Sequence, residues 1–496
     1  MAPMKNHDRS SASSVNRRRF IKTAGASGAI ALTGLAGNAA AQENGTNGTA
    51  GTAGGDAVTL QWAASEEEAS EQEAFNEALH TAGLPQNITV EFLTGGDVTG
   101  DRRNQYQQWL SAGRSTPSLL RVDNGWTIPF IAREQLLNLS ENLPSEVTQR
   151  VTENYFDPAV STAQGEDGNL YALPLWVGLP TMLYRKDLVE SAGYDPEGNN
   201  WATEPLTWQR FSEVVADVKE QSDVDYGYVF QADAYAGLSC CNFNEFMTSW
   251  GGAYFGGEEN LFGPIGDRPI TINEEPVAQS IRMVRTFIHG QEDEHSLDEY
   301  TGNIAPEAVT NWTEQETNGA FQNGNAAFMR NWPFFVNLNG GSDNFGENLG
   351  VMPYPYGVSE SEAAYEGAGG TNAKLGGWHL SINPNTEKLA ATVEVIKAMT
   401  SDEFYLSIFE ATGSTPPKPG LFTSDRAQEV DVMNRYLDTL QFQSENQFAP
   451  PINAVWDPQK SAIGQEFHAC LNQQKSPEEA VAAAQEQVEQ IEEQES

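Results

Sequence analysis

After residue 57 the chain opens with short alternating apolar runs, each followed by a longer stretch whose apolar residues lie three and four apart. Residues 58–63 read as a strand, and Ala69, Phe75, Ala78 and Leu79 share one face of a helix over 66–79. Residues 88–93 alternate like a second strand, and after the loop 94–100 a helix carrying Tyr106, Trp109 and Leu110 stops at Gly113. Residues 118–122 make a third strand, ending in Asp123-Asn124-Gly125-Trp126. Strands alternating with helices predict a parallel, doubly wound α/β sheet. No GxGxxG or Walker loop follows these strands, which argues against nucleotide binding.

From Leu170 the pattern changes. Residues 171–177 form an extended run containing Pro174, suited to a connection between lobes, and 182–188 pass from a strand into a helix. Thr207 is placed to cap a helix with Phe211, Val214, Val215 and Val218 inward, 226–230 make a strand, and 236–250 and 277–289 are helical. Residues 349–353 and 374–382 give two more strands, the latter interrupted by Gly376-Gly377, where glycine permits bending or close approach. An amphipathic helix over 386–401 comes next, then a turn at 416–419, and a Gln/Glu-rich helix over 477–493 expected to lie solvated on the surface.

The segment 319–335, GAFQNGNAAFMRNWPFF, stands out. Its helical first part closes on Asn323-Gly324, and the apolar run 326–329 then delivers Arg330, Asn331 and Trp332 just before Pro333. A strand with a polar and aromatic tip is predicted, and strand ends of an open α/β sheet face the ligand crevice. Core packing is the competing reading for Trp332.

A chain of 496 residues exceeds one compact core and implies at least two domains. With 28 basic and 69 acidic residues the formal charge is −41, and no basic stripe follows residue 22, so nucleic acid and anionic lipid are not expected as partners. Such an excess is tolerated at molar salt, where the Debye length falls to about 3 Å, and the surface resembles that of an extreme halophile. Asn16-Arg17-Arg18-Arg19-Phe20-Ile21-Lys22, an apolar segment to Gly37 and Ala39-Ala40-Ala41 fit a twin-arginine export signal over 1–41. Asn38 stands where a lipid-bearing cysteine would follow, so no lipid anchor is expected. Residues 42–56 read as a flexible tether with sequons at Asn44 and Asn47. Adjacent cysteines rarely pair, so any disulfide is expected to join Cys470 to Cys240 or Cys241. The six histidines show no zinc spacing, and neither metal nor cofactor is expected.

The order of motifs resembles the family 1 extracellular solute-binding proteins of ABC importers, and within them the trehalose/maltose-type sugar binders. The matching pieces are Asp101-Arg102 with Tyr106 and Trp109-Leu110, Val122 to Trp126, Tyr184-Arg185-Lys186-Asp187-Leu188, Leu206-Thr207-Trp208, Tyr235-Ala236-Gly237-Leu238, the segment 319–335, and Leu375-Gly376-Gly377-Trp378. The resemblance implies a periplasmic-binding-protein-like α/β fold: two lobes, crossing segments as a hinge, and a ligand cleft between. Its crossings would fall near 173–178, 330–333 and 375–378. The lobes would comprise 57–175 with 333–377, and 176–332 with 378–496. Each crossing carries a tryptophan, Trp176, Trp332 or Trp378.

Sugars offer apolar C–H faces to aromatic rings and hydroxyls to planar polar groups. The candidate ligand-binding residues are Glu67, Arg102, Asp123, Trp126, Trp176, Tyr235, Asn331, Trp332, Gly377 and Trp378. Two departures from the family pattern stand out: Gly178 falls where relatives carry an acid, which removes a hydroxyl acceptor and bears on which sugar is bound, and Pro117-Ser118 replaces Pro-Asp. The implied function is a monomeric, non-catalytic receptor outside the cell that closes on a di- or oligosaccharide and hands it to an ABC permease. An exported glycoside hydrolase would require paired carboxylates about 5–10 Å apart; no hydrolase motif appears. The same fold binding a polyamine would require clustered cleft acids, and a phosphate an Arg/Lys cluster, which the sequence does not display.

Overall fold

In the computed structural model residues 56–95 and 99–495 are described; the expected export signal and nearly all of the expected tether lie outside the described residues. The strands are β1 (Val58–Ala64), β2 (Ile88–Thr94), β3 (Leu119–Asp123), β4 (Leu173–Gly178), β5 (Thr181–Arg185), β6 (Tyr226–Val229), β7 (Ala326–Asn331), β8 (Leu349–Met352), β9 (Ala373–Lys374), β10 (Gly376–Ile382) and β11 (Gln447–Phe448). They form a first sheet in the order β2-β1-β3-β10-β4, a second in the order β6-β7-β5-β8, and a ribbon of β11 with β9.

Both sheets are mixed, where the alternation of strands and helices predicts a parallel one. β1 runs parallel to β2 and β3, but β10 is antiparallel to β3 and β4. The reason is topological. The chain returns to the first sheet from the second lobe, so β10 must start at the edge where β3 and β4 end. The same constraint makes β5 antiparallel to β7 and β8. The seam between the lobes therefore collects the ends of β3, β4 and β7 and the beginnings of β5 and β10.

The lobe boundaries differ from those expected. β4 belongs to the first sheet and β5 to the second, so the first crossing is Leu179-Pro180. Residues 349–352, expected with the first lobe, pair in the second sheet, and 378–382, expected with the second, pair in the first. After β10 the helices Leu389–Met399 and Asp402–Thr412 pack on the first lobe against Gln72–Thr81. The C-terminal helices Trp456–Leu471 and Pro477–Glu495 pack on Glu275–His289 of the second lobe. The last helix is not merely a solvated surface element: Ala480, Val481, Ala484 and Val488 are buried, and Glu492 pairs with Arg268 at 2.6 Å in the interior.

Local rules explain the scaffold. Ser65 and Glu68 form a capping box that starts Glu66–Ser70, and the helix predicted over 66–79 breaks at Glu71 before resuming as Gln72–Thr81. Thr207 accepts from the Arg210 amide at 3.1 Å and caps Trp208–Glu220, whose Phe211, Val214, Val215 and Val218 are all buried. Each such side chain contributes about 1.5–3 kcal/mol by leaving water. β7 is buried along its whole length, so its end is rigidly held where it meets the seam.

Candidate functional site

At the seam, antiparallel register sets Trp378 of β10 opposite Asp123 of β3 on one side and opposite Trp176 of β4 on the other. These three side chains, each half-buried, form the first lobe's contribution. Asp123 ends its strand and turns the chain, its Oδ1 accepting from the Gly125 amide at 2.9 Å. Gly377 has φ +138, and a Cβ there would meet the Trp176 carbonyl oxygen at 2.5 Å. Only glycine keeps β10 this close to β4.

Beneath these indoles lies a buried cationic and aromatic layer. The Arg121 guanidinium sits 3.5 Å from the centre of the Trp378 ring and 5.3 Å from that of Trp176, and it pairs with Glu68 at 3.2 Å. Arg102, 3 % exposed, lies 5.3 Å from the Trp378 ring. Burial pushes the Glu68 carboxyl above its ordinary pKa, while Arg121 and Arg102 pull the other way. Trp126, 1 % exposed, meets Trp378 edge-on at 5.6 Å and Tyr106 at 6.0 Å. Of the sequence candidates, Arg102 and Trp126 are thus brought to Trp378 from below, fixing its orientation, and present no open face. Trp126 closes the turn after β3 and faces inward, which the sequence position alone does not distinguish. The Glu67 side chain lies outside the described part.

The second lobe contributes Trp332, at the end of β7. The centre of its indole lies 4.0 Å from the Arg330 guanidinium, and Arg330 is locked to Glu245 by a two-pronged ion pair, with Nε to Oε2 at 2.9 Å and Nη2 to Oε1. A third bond runs from Arg330 Nη1 to Gln231 Oε1 at 3.1 Å. Arg330, Glu245 and Gln231 are all buried. The far edge of the Trp332 ring rests against glycine: a Cβ on Gly376 would come 2.8 Å from it and one on Gly178 3.1 Å. Gly178, where relatives were expected to carry an acid, is therefore occupied with making room for Trp332.

Asn331 is fully buried, donating to the Glu314 carbonyl at 3.3 Å and accepting from the Trp332 amide at 3.0 Å. Its amide positions Trp332 and offers nothing to a ligand. Tyr235, half-buried, donates to the Glu314 carboxylate at 2.8 Å.

Three groups at the seam were not among the sequence candidates. Lys374 is 2 % exposed, and its ammonium has no hydrogen bond or ion pair among the described residues. Burial opposes its charge, but Cys241, Cys240, Asp123 and Glu245 around it raise its pKa above the ordinary lysine value. Its signal was a lysine directly before Leu375-Gly376-Gly377-Trp378 in an acid-rich chain. Arg103 of the first lobe forms an ion pair with Asp457 of the second, and Asp457 also meets Lys460 at 2.6 Å. Cys240 lies within the field of Lys460 and touches Cys241. No disulfide joins Cys470 to Cys240 or Cys241 here: its thiol faces Arg285 Nη1 at 3.7 Å, and all three cysteines are free. Among the described residues no group of three or more His, Cys, Asp or Glu is placed to hold a metal ion.

Two α/β lobes joined by short crossings, with aromatic and polar side chains of both meeting at the seam, define a two-lobed solute-capturing protein. Residues 63–404 match the family of bacterial extracellular solute-binding proteins, and the chain belongs to that family, one of binding proteins and not of enzymes. A Deinococcus radiodurans relative described as a probable ABC transporter-binding protein is 27% identical over 314 residues, 63% of this chain and 65% of that protein's length. Among solved structures, maltose-bound MalE3 of T. maritima superposes with a TM-score of 0.71 at 24% identity, covering 87% of this chain and 99% of the other. The cyclic alpha-maltosyl-1,6-maltose binding protein of Arthrobacter globiformis gives 0.66 at 17% identity, covering 89% and 100%. The fold is shared with both.

Proposed function

We propose that this protein captures a di- or oligosaccharide outside the cell and delivers it to an ABC transporter permease by hinge closure. The observation that carries the reading is the meeting of indoles from both lobes: Trp332 of the second against the glycines of the first, with Trp378 and Trp176 alongside. Aromatic faces suit the C–H surfaces of pyranose rings, while Asp123 supplies an acceptor and Lys374 a donor for hydroxyls. The sugars named for the two structural neighbours, maltose and cyclic maltosyl-maltose, support that ligand class. Contacts drawn from both lobes exist only when the lobes are closed, so ligand binding favours closure by the free energy of those contacts. The direct-contact set in this reading is Asp123, Trp176, Trp332, Lys374, Gly377 and Trp378, with Tyr235 at its margin. The protein works as a monomer, reaches the exterior by the twin-arginine route, and requires no cofactor.

The test is a thermal-shift screen of mono- and disaccharides, maltose included, in molar salt. A ligand at 100 times its Kd that binds only the folded state adds about 2.7 kcal/mol of stability. A saturable rise with a sugar supports the reading. A rise with a polyamine or an anion, and none with any sugar, refutes it.

A further inference from the structure

Cys240 and Cys241 sit on one irregular helical turn, Leu238–Asn242, with their sulfurs 2.6 Å apart. Cys240 is half-buried and Cys241 buried. Lys374 flanks both, Lys460 flanks Cys240, and Asp123 of the opposite lobe is near enough to act on Cys240. The third cysteine is occupied elsewhere, beside Arg285. Neither thiol enters the sugar-binding reading, and the chemistry of the pair is independent of which ligand the cleft holds.

We propose that Cys240 and Cys241 form a reversible two-electron redox site in the wall of the cleft, oxidised by low-molecular-weight disulfides. The Cys240 thiolate attacks one sulfur of R–S–S–R, forming a Cys240–S–S–R bond and releasing R–S⁻. Cys241, its proton passed to solvent, then attacks the Cys240 sulfur, forming the Cys240–Cys241 bond and releasing the second R–S⁻. The two thiolates take up the two protons, so one disulfide and two protein thiols become one protein disulfide and two R–SH. Cys240 acts first for three reasons. It is the more exposed; hydrogen bonding from Cys241 holds its pKa below the usual thiol value against burial; and the Lys374 ammonium favours its anion further. Adjacent Cα atoms lie about 3.8 Å apart across a trans peptide, whereas disulfides usually span about 4.4–6.8 Å, so the product is strained and readily reduced by excess thiol. That makes the couple a switch and not a structural brace.

The experiment treats the folded, full-length protein with hydroxyethyl disulfide in molar salt. Free thiols per chain should fall from the three present to one, the intact mass should drop by two hydrogens, and peptide mapping should place the link between Cys240 and Cys241. A monothiol reductant should restore all three. Cys470→Ser should leave the reaction unchanged, and Cys241→Ser should stop at a stable mixed disulfide on Cys240. Persistence of a mixed disulfide on Cys240 in the native protein, a link to Cys470, or thiols that react only after unfolding would each overturn the proposal. The native and Cys470→Ser proteins decide the matter even if Cys241→Ser does not fold.

Discussion

The indole of Trp332 occupies the space that a side chain on Gly376 would need: a Cβ there would lie 2.8 Å from ring carbon Cζ3. Trp332 belongs to the end of β7 in the second lobe and Gly376 begins β10 in the first, so the contact joins the lobes. Gly376→Ala should therefore act on ligand capture. We expect affinity for the sugar that stabilises the native protein in the thermal-shift screen, measured by calorimetry, to fall about tenfold or more, equivalent to ~1.4 kcal/mol. Ligand-free urea unfolding should change by about 1 kcal/mol or less. A loss of about 3 kcal/mol in the ligand-free protein would instead place the contact within a packed core.

Trp332→Ala provides the complementary case. It removes the stacking surface while leaving Arg330 tied to Glu245 and Gln231. The rise in thermal midpoint caused by sugar should vanish, with the ligand-free midpoint nearly unchanged.

Arg330 and Glu245 are both fully buried, so the pair cannot be halved cheaply. Burial favours the neutral Glu245 carboxyl and raises its pKa; the guanidinium counteracts this. Glu245→Ala should cost about 3–5 kcal/mol, because it leaves an uncompensated charge in the interior. Removing both charges, as Arg330→Met with Glu245→Leu, should recover most of that loss in chemical denaturation. If the single variant costs under about 1 kcal/mol, the pair contributes no more than an exposed one.

His379 sets a pH limit on the first lobe. Its Nε2 lies 2.9 Å from Thr162 Oγ1, whose own proton goes to the Ala159 carbonyl, so Nε2 carries the hydrogen and the ring is neutral. Nδ1 is buried without a hydrogen-bond partner, and burial pushes the pKa down to about 3. The unfolded chain takes up this proton near pH ~6.5, the native state only near 3, so the contribution is intact above about 6.5 and is lost as pH falls toward 3. His379→Gln should make the fall in stability shallower by about 1.4 kcal/mol per pH unit in that window, read from denaturation midpoints at constant salt. Equal slopes would mean that the ring titrates normally.

Much of this arrangement is visible in the sequence because it lies in local pattern. The strand ending in Arg330, Asn331 and Trp332, the glycine pair before Trp378, and the capped helix after Thr207 all arise from runs of a few residues. What the sequence withholds is direction and pairing. Trp126 and Trp378 both look like aromatic residues at strand ends, yet one faces the core and the other the seam, since β10 enters from the opposite lobe. Asn331 reads as a polar tip, but the turn into Pro333 consumes its amide. Lys374 and Asp457 find their surroundings only when distant segments meet, and no local period marks them.

The ion pair between Arg103 and Asp457 spans the seam, its side chains 18% and 13% exposed, with Lys460 on the same carboxylate. Each charge lies on a different lobe, so the pair exists only while the lobes are together. Burial lowers the Arg103 pKa and Asp457 restores part of it, so the guanidinium is desolvated where the lobes meet. Breaking the pair should shift the open–closed equilibrium and leave each lobe folded. For Asp457→Asn we expect a larger radius of gyration in ligand-free solution scattering and an unchanged unfolding midpoint. Sugar affinity should fall about threefold to tenfold, chiefly through faster release, since closure protects the bound ligand. Salt supplies the control: at molar ionic strength the Debye length is about 3 Å, and a partly exposed pair is weakened more than a buried one. The difference between native and Asp457→Asn proteins should therefore narrow as salt rises, whereas the effect of Gly376→Ala, which is steric, should not. A salt-independent difference at Asp457 would remove the ion pair from the closing mechanism and leave the aromatic contacts to carry it.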